Sequence, residues 1–392
     1  MSPRSREVEL LLLLARGTVP AEIEAQARSM LRQDLAWDLV VRQAKMEGVV
    51  PLLVRHLSRL GFPGVPALAR TALEDANQRN AARNTLLRRD LARLLELFKS
   101  AGVPAIPLKG VALAESLYGD ASCRVCSDVD VLVPRDAVAE AFRCLLANGY
   151  ERADRYPVSS ADVDFLVRSA MEYSFRPRST VFSYLLELHW DLAWRWRGDA
   201  AMVDDVWAEA RPRGFWGVEA WALSPEWELL YLTVHAARHR WQGLKWLVDI
   251  HEVCSRAKFD WDTVTDKACR FRLERVLALT LSACQALFGT QLPAPYSGHR
   301  LPAWLPLFPL SAPQMGEWRE VMLARRLFQR PRDRLRYLAR IALHPTLGEL
   351  EFVRLPIGLR ALYYPLRLVR LAIASAWAVS GLAASRRNSL GL

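Results

Sequence analysis

Apolar positions along the chain fall into two kinds of spacing. From residue 5 to about 100 they recur at intervals of three and four, through Leu39, Val40, Val49, Leu52, Leu53, Leu57 and Leu60. That period predicts helices packed as a bundle. Gly61, Pro63, Gly64 and Pro66 break it. A long helix is predicted from about Ala67 to Ser100, with Leu86, Leu87, Leu91, Leu94, Leu95 and Leu97 on its apolar side and Gly102 and Pro104 as its stop.

Beyond residue 101 the texture changes. Val103 to Leu108 reads as a short buried strand, Val111 to Leu117 as a helix, and Tyr118 to Ser127 as a loop. Asp128 to Val133 alternates carboxylate and valine, the period of a strand, and Pro134 ends it. A helix is predicted over 136–148, and strands over Tyr173–Phe175 and Val181–Trp190. Helix returns at 225–239 and 244–257. A Pro- and Gly-rich stretch at 289–314 precedes two further helices, 315–342 and 358–384. The expected class is α+β and mostly helical, with a small mixed β-sheet core between helical bundles. The expected regions are 1–100, 101–195, 196–290 and 291–392.

Composition narrows the class without naming a function. Apolar residues make up 52% and charged residues 24% of 392, which excludes wholesale disorder. No stretch reaches the roughly 18 uncharged apolar residues that span a bilayer. Six cysteines are scattered, and the leucine run near the start follows Glu7 and Glu9, so it reads as a helix and not a signal peptide. A reducing cytoplasm is expected, with attachment to the membrane periphery as a variant. Cys123 and Cys126 form a C-x-x-C with no second pair, which gives neither a zinc nor a redox context.

The charge of +11 is uneven. From residue 301 onward fourteen Arg face five acids, a balance of +9. Such a segment suits an anionic partner (nucleic acid, lipid headgroups or an acidic protein) or is simply a solvated surface. Leu371 to Ala384 carries no charge over fourteen residues and is flanked by Arg367, Arg370, Arg386 and Arg387. It is too short for a transmembrane span. It is expected either to dock as a helix or to lie in a membrane interface.

The chemistry concentrates in Ser127-Asp128-Val129-Asp130-Val131-Leu132-Val133. Positions i and i+2 of a strand share a face, so Asp128 and Asp130 project together while the valines face the core. Two adjacent carboxylates repel unless a cation lies between them, and Mg²⁺ prefers such oxygens. On this reading Asp→Asn changes leave the fold intact or even stabilise it. Upstream, Lys109-Gly110 lies at a strand-to-helix turn, where backbone N–H groups and a lysine suit a phosphate. Downstream, Leu185 to Asp191 alternates again, which places Glu187, His189 and Asp191 on one face. Three carboxylates on neighbouring strands can hold metal for phosphoryl or nucleotidyl transfer. Arg124 precedes Asp128 by four residues and is a candidate triphosphate contact.

His235 and His239 are i, i+4 on a predicted helix, but Ala236 replaces the glutamate of a metalloprotease motif. They pack at an interface or contact a nucleotide. Lys245 and Asp249 are four apart and could form a helical ion pair. Trp190, Trp241 and Trp246 are either core or base-stacking residues.

Leu108-Lys109-Gly110, Tyr118, Arg124, the S-D-V-D-V-L-V strand, Gly149-Tyr150, the E-L-H-W at 187–190 and the H-A-A-R-H-R-W-Q-G-L-K-W-L-V-D-I at 235–250 form a set. This set resembles the uncharacterised nucleotidyltransferase family of the DNA polymerase β superfamily, over roughly residues 30–290. The resemblance implies a nucleotidyltransferase core in which Asp128, Asp130 and Glu187 hold metal and act in catalysis. It implies two Mg²⁺ ions, with an NTP such as ATP as co-substrate. The implied product is an NMP on a hydroxyl of a small molecule or protein. Lys109, Gly110, Arg124, Ser127, His189, His235, His239, Lys245 and Asp249 are the implied nucleotide-binding set. The superfamily's glycine-serine turn is here Lys109-Gly110, which has no serine hydroxyl for the phosphates. The competing expectation is a catalytically degenerate protein that binds nucleotide, RNA or a partner on the same scaffold.

Overall fold

Five helices account for residues 6–100: α1 (Arg6–Leu14), α2 (Ala21–Leu31), α3 (Trp37–Glu47), α4 (Val50–Leu60) and α5 (Ala67–Ser100). The computed structural model describes residues 5–153, 162–178, 183–192, 201–302, 305, 327–328 and 330–373. The Ser5 hydroxyl accepts from the Val8 N–H to start α1, the usual N-cap solution for an unpaired donor. Gly48 and Gly61 end α3 and α4 in the left-handed conformation, at φ 69° and 80°. All five leucines from Leu10 to Leu14 are buried. The chain leaving α1 is tied to distant helices. The Arg16 guanidinium donates to the Phe288 carbonyl at 2.8 Å, and the Gly17 N–H donates to Glu252 Oε1 at 2.6 Å.

The middle of the chain builds one mixed sheet. Its elements are β1 (Ile106–Pro107), α6 (Gly110–Tyr118), β2 (Asp128–Leu132), α7 (Val138–Ala147), β3 (Tyr150–Arg152), α8 (Val163–Ser169), β4 (Glu172–Pro177) and β5 (Leu185–His189). The strand order is β1-β2-β5-β4-β3. β1 runs antiparallel to β2, β2 parallel to β5, and β3 antiparallel to β4. Val129, Val131, Leu186 and Leu188 are buried. Burying a valine or leucine side chain contributes about 1.5–3 kcal/mol, so the apolar face holds β2 and β5 in register. That leaves the other face of both strands for polar groups.

After the sheet come α9 (Ala201–Glu209), the hairpin β6 (Arg211–Phe215) and β7 (Val218–Ala222), and helices α10 (Pro225–Arg238), α11 (Leu244–Arg256), α12 (Trp261–Arg270) and α13 (Glu274–Phe288). The Ser224 hydroxyl caps α10, with Pro225 in its first turn. The hairpin is absent from the sequence reading because Pro212 and Gly214 both count against a strand. Its turn uses Trp216 and Gly217 at φ 50° and 89°, two successive left-handed residues. The Trp221 N–H donates to the Ala105 carbonyl at 3.0 Å, which joins the hairpin to the chain entering β1.

The chain divides into two compact units, residues 1–153, 174–192 and 200–314, and residues 154–173, 193–199 and 315–392. The expected boundaries near 100 and 290 lie inside the larger unit, and the one near 195 lies outside the described residues. In the smaller unit the predicted helix 315–342 is found over Pro331–Leu343, while residues 315–326 lie outside the described residues. The predicted helix 358–384 begins as a 3-10 turn, Ile357–Leu362, and runs as α-helix over 363–373. Residues 374–384 lie outside the described residues, and with them most of the uncharged segment. Glu349 organises this unit. It closes a capping box with Thr346 and pairs with Arg367 at 3.2 Å and with Arg370. Arg360 pairs with Asp162. Part of the C-terminal positive charge is therefore neutralised internally. Among the described residues no helix is long and apolar enough to cross a membrane.

Candidate active site

The site grows from the register of β2 and β5. Asp130 lies opposite Glu187, Asp128 opposite Leu185, and Leu132 opposite His189. Asp128 and Asp130 share a face, as the alternation predicts, and Lys109 reaches both. Its Nζ lies 2.5 Å from Asp130 Oδ2 and 3.2 Å from Asp128 Oδ2. The backbone aims it: the Leu108 N–H donates to the Asp130 carbonyl at 3.1 Å. Gly110, at φ 68°, then turns the chain into α6. Lys109 is thus a buried ammonium held by the two carboxylates.

This contact decides the local electrostatics. Burial opposes the charge on Lys109, but Asp130 and Asp128 outweigh it and raise its pKa above the ordinary lysine value. Burial also opposes charge on Asp130. Lys109, with the His189 hydrogen bond, more than reverses this and holds the carboxyl well below its usual range. Substituting Asp130 therefore takes the closest partner from a buried cation, against the expectation that repulsion dominates.

The second oxygen of Asp130 looks the other way. His189 Nε2 lies 3.2 Å from Asp130 Oδ1 and 3.7 Å from Glu187 Oε2. One ligand atom each from Asp130, Glu187 and His189 lie within 4.8 Å of one another. The two carboxylates suit a hard divalent cation such as Mg²⁺ or Mn²⁺, and the imidazole beside them suits Mn²⁺ better than Mg²⁺. Burial raises the Glu187 pKa, the His189 hydrogen bond lowers it, and repulsion from Asp130 raises it further, for a net rise. Glu187 keeps 26% of its side chain exposed, so this corner opens to solvent. Asp191, expected on the same face, leaves the set because β5 ends at His189, and it pairs with Arg135 instead.

Arg124 points inward. Its Nε lies 3.1 Å and 2.9 Å from the two Asp249 oxygens, and both residues are buried. The Asn80 and Asn84 amides of α5 donate to the Arg124 carbonyl at 3.1 Å and 2.7 Å. Asn80 and Asn84 were missed from sequence; the signal was two buried-side amides spaced i, i+4. Lys245 donates to the Val125 carbonyl at 3.3 Å, so the expected Lys245–Asp249 ion pair gives way to Arg124–Asp249. Cys123 and Cys126 lie in this loop as free thiols, both pushed up by burial.

His235 lies in the last turn of α10, and His239 follows the helix, their rings 4.6 Å apart. His239 stacks on Trp246 at 4.3 Å, while His235 meets that indole edge-on at 5.6 Å. Burial lowers the pKa of both, reinforced by nearby cations that include Lys109, and His239 falls to about 4. Both are neutral at pH 7, as packing or stacking groups require. Lys245 lies 5.7 Å over the Trp246 ring. Trp190 and Trp241 are core, and the Trp241 indole N–H donates to Thr280 Oγ1 at 2.7 Å. The Ser127 hydroxyl donates to Asp128 Oδ1 at 3.4 Å.

A search of curated proteins found no match. Among solved structures, similarity extends to an antigenic nucleotidyltransferase-like protein from Paracoccidioides brasiliensis. That match has 16% identity, covers 53% of this chain and 93% of that one, and has a TM-score of 0.32. Residues 33–289 match the family described as Uncharacterised nucleotidyltransferase. That span holds the carboxylates of β2 and β5, Lys109 and the histidines of α10, and the chain belongs to this uncharacterised nucleotidyltransferase family.

Proposed function

We propose that the protein is a divalent-cation-dependent nucleotidyltransferase that moves an NMP from an NTP, with ATP the first candidate, to a hydroxyl of a small molecule or protein. The observation that carries this reading is the carboxylate set of Asp128, Asp130 and Glu187 across the parallel β2–β5 pair. A bound Mg²⁺ supplies Lewis-acid neutralisation of triphosphate charge. Asp130 and Glu187, with His189 beside them, are the residues to hold it.

The chain's own groups supply the rest. Glu187 is half-buried with an edge open to solvent, which suits the base that takes the acceptor's proton. The acceptor oxygen bonds to the α-phosphorus as the bond to pyrophosphate breaks. Ser127, hydrogen-bonded to Asp128, and Lys245, which feels the Asp128 charge, suit the triphosphate. The stacked His239–Trp246 pair suits the base. Arg124 and Asp249 keep the loop before β2 in place and act as positioning residues.

A second reading, a nucleotide-, RNA- or partner-binding protein without turnover, draws on Lys109, which already neutralises part of the carboxylate charge. Transfer of α-labelled NTPs separates the two. With cell extract as acceptor pool, label should move with wild type and not with Glu187→Gln. Nucleotide binding without any transfer would favour the second reading. The basic C-terminal region is a separate proposal, for an anionic membrane surface. It is supported by the outward Tyr364, Leu368 and Ile373, and flotation with anionic vesicles tests it.

A further inference from the structure

Asp130 uses its two oxygens differently. Oδ2 accepts from Lys109 at 2.5 Å, and Oδ1 faces His189 at 3.2 Å with Glu187 beside it. A carboxylate placed to bridge two metal ions would meet a cation on each side. Here one side already holds a cation supplied by the chain. Lys109 is buried, and so is the carboxylate it meets most closely. A charge taken so far from water stays only where its partners replace the lost hydration. Asp128 completes that replacement at 3.2 Å. The ammonium is also fixed from behind by the β1–β2 hydrogen bond and the turn at Gly110.

We infer that Lys109 permanently occupies the position between Asp128 and Asp130, so that the site takes one divalent ion, at Asp130, Glu187 and His189, instead of two. The inference rests on the metal-dependent reading above and narrows it. Asp128 then serves the lysine and not the ion. Charge supports the same count. Three carboxylates and one ammonium leave −2, which a single divalent ion neutralises. Without nucleotide, two such ions would leave +2 beside a buried lysine. The second cation of a two-metal mechanism would be replaced by a point charge that cannot dissociate.

Counting bound Mn²⁺ by electron paramagnetic resonance tests this directly, without reference to turnover. The full-length wild type, with and without a non-hydrolysable NTP analogue, should bind one Mn²⁺ per chain in total, any ion carried in by the analogue included. Lys109→Met keeps the length and removes the charge, so its vacated carboxylate pair should take a second Mn²⁺. Asp128→Asn should keep the single ion, whereas Glu187→Gln should lose it. Two ions per chain in the wild type, with or without the analogue, would overturn the inference while leaving the metal-dependent function intact. Loss of the ion in Asp128→Asn as complete as in Glu187→Gln would also overturn it. No Mn²⁺ bound under either condition would sink both this inference and the function beneath it. The wild-type and Asp128→Asn counts decide the matter even if Lys109→Met does not fold.

Discussion

The Arg124 guanidinium forks onto both carboxylate oxygens of Asp249, 125 residues away in sequence, and neither side chain meets solvent. The pair fastens the loop before β2 to α11, so the entry to the carboxylate strand depends on a helix formed much later in the chain. Removing one partner leaves the other charge buried and alone. Asp249→Ala should cost about 3–5 kcal/mol of unfolding free energy. Arg124→Lys should also destabilise, because an ammonium cannot reproduce the fork. Urea denaturation measures both, and a loss under about 1 kcal/mol in Asp249→Ala would refute the structural role.

Asp130 and Glu187 should part company when stability and activity are measured together. Asp130→Asn removes the strongest partner of a buried lysine, so it should melt earlier as well as lose transfer. Glu187 has a raised pKa, which means that the fold favours its neutral form. Glu187→Gln imitates that form and should melt at or above the wild type at pH 7. Its transfer rate should still fall by about 100-fold or more. Equal loss of melting temperature in the two variants would contradict the assigned electrostatics.

His251 gives a pH signature remote from the carboxylates. It hydrogen-bonds Thr290 Oγ1 through Nδ1 at 2.8 Å and stacks on Phe288 at 5.1 Å. Burial, then Arg16, lowers its pKa from 6.5 to about 4. The unfolded chain therefore takes up this proton first as pH falls. The stability it contributes is complete above 6.5 and is lost on the way down to 4. Denaturation midpoints at several pH values should fall more steeply across that window for wild type than for His251→Gln. Parallel curves would show that the imidazole is not held neutral.

Gly243 opens α11 at φ 138°, a region that side chains rarely adopt. A Cβ there would lie 2.8 Å from the Trp246 ring. Gly243→Ala should therefore cost on the order of 1–3 kcal/mol and displace the His239–Trp246 stack. Near-ultraviolet circular dichroism should report the moved indole. An unchanged spectrum and melting temperature would show that the turn tolerates a side chain.

Much of this architecture is written in local pattern. The bounds of α5, the carboxylate face of β2 and the start of α10 follow from spacing and capping within a few residues, because each is decided by neighbours along the chain. Lys109 stands out in the sequence, but its carboxylate partners do not. Glycine and a strand end suggest a phosphate turn, while the partners that claim the ammonium lie 19 and 21 residues downstream. Arg124 and Asp249 were both singled out, but pairing across two elements depends on tertiary geometry. Asp191 obeys the alternation in sequence and escapes it in space, since a strand's period holds only while the strand lasts. The β6–β7 hairpin shows the opposite failure, where a tight turn and an edge position tolerate Pro212 and Gly214.

The tie from Gly17 to Glu252 separates two things that are easily equated. The family match begins at residue 33, yet α1 lies before it and plugs into helices that lie within it. Five buried leucines at about 1.5–3 kcal/mol each rival the 5–15 kcal/mol by which a whole domain is stable. A chain cut back to 33–289 would also leave the buried Glu252 without the Gly17 N–H. What is shared across the family is therefore shorter than what must be synthesised together, and trimming to the shared segment should yield aggregate in place of a minimal enzyme.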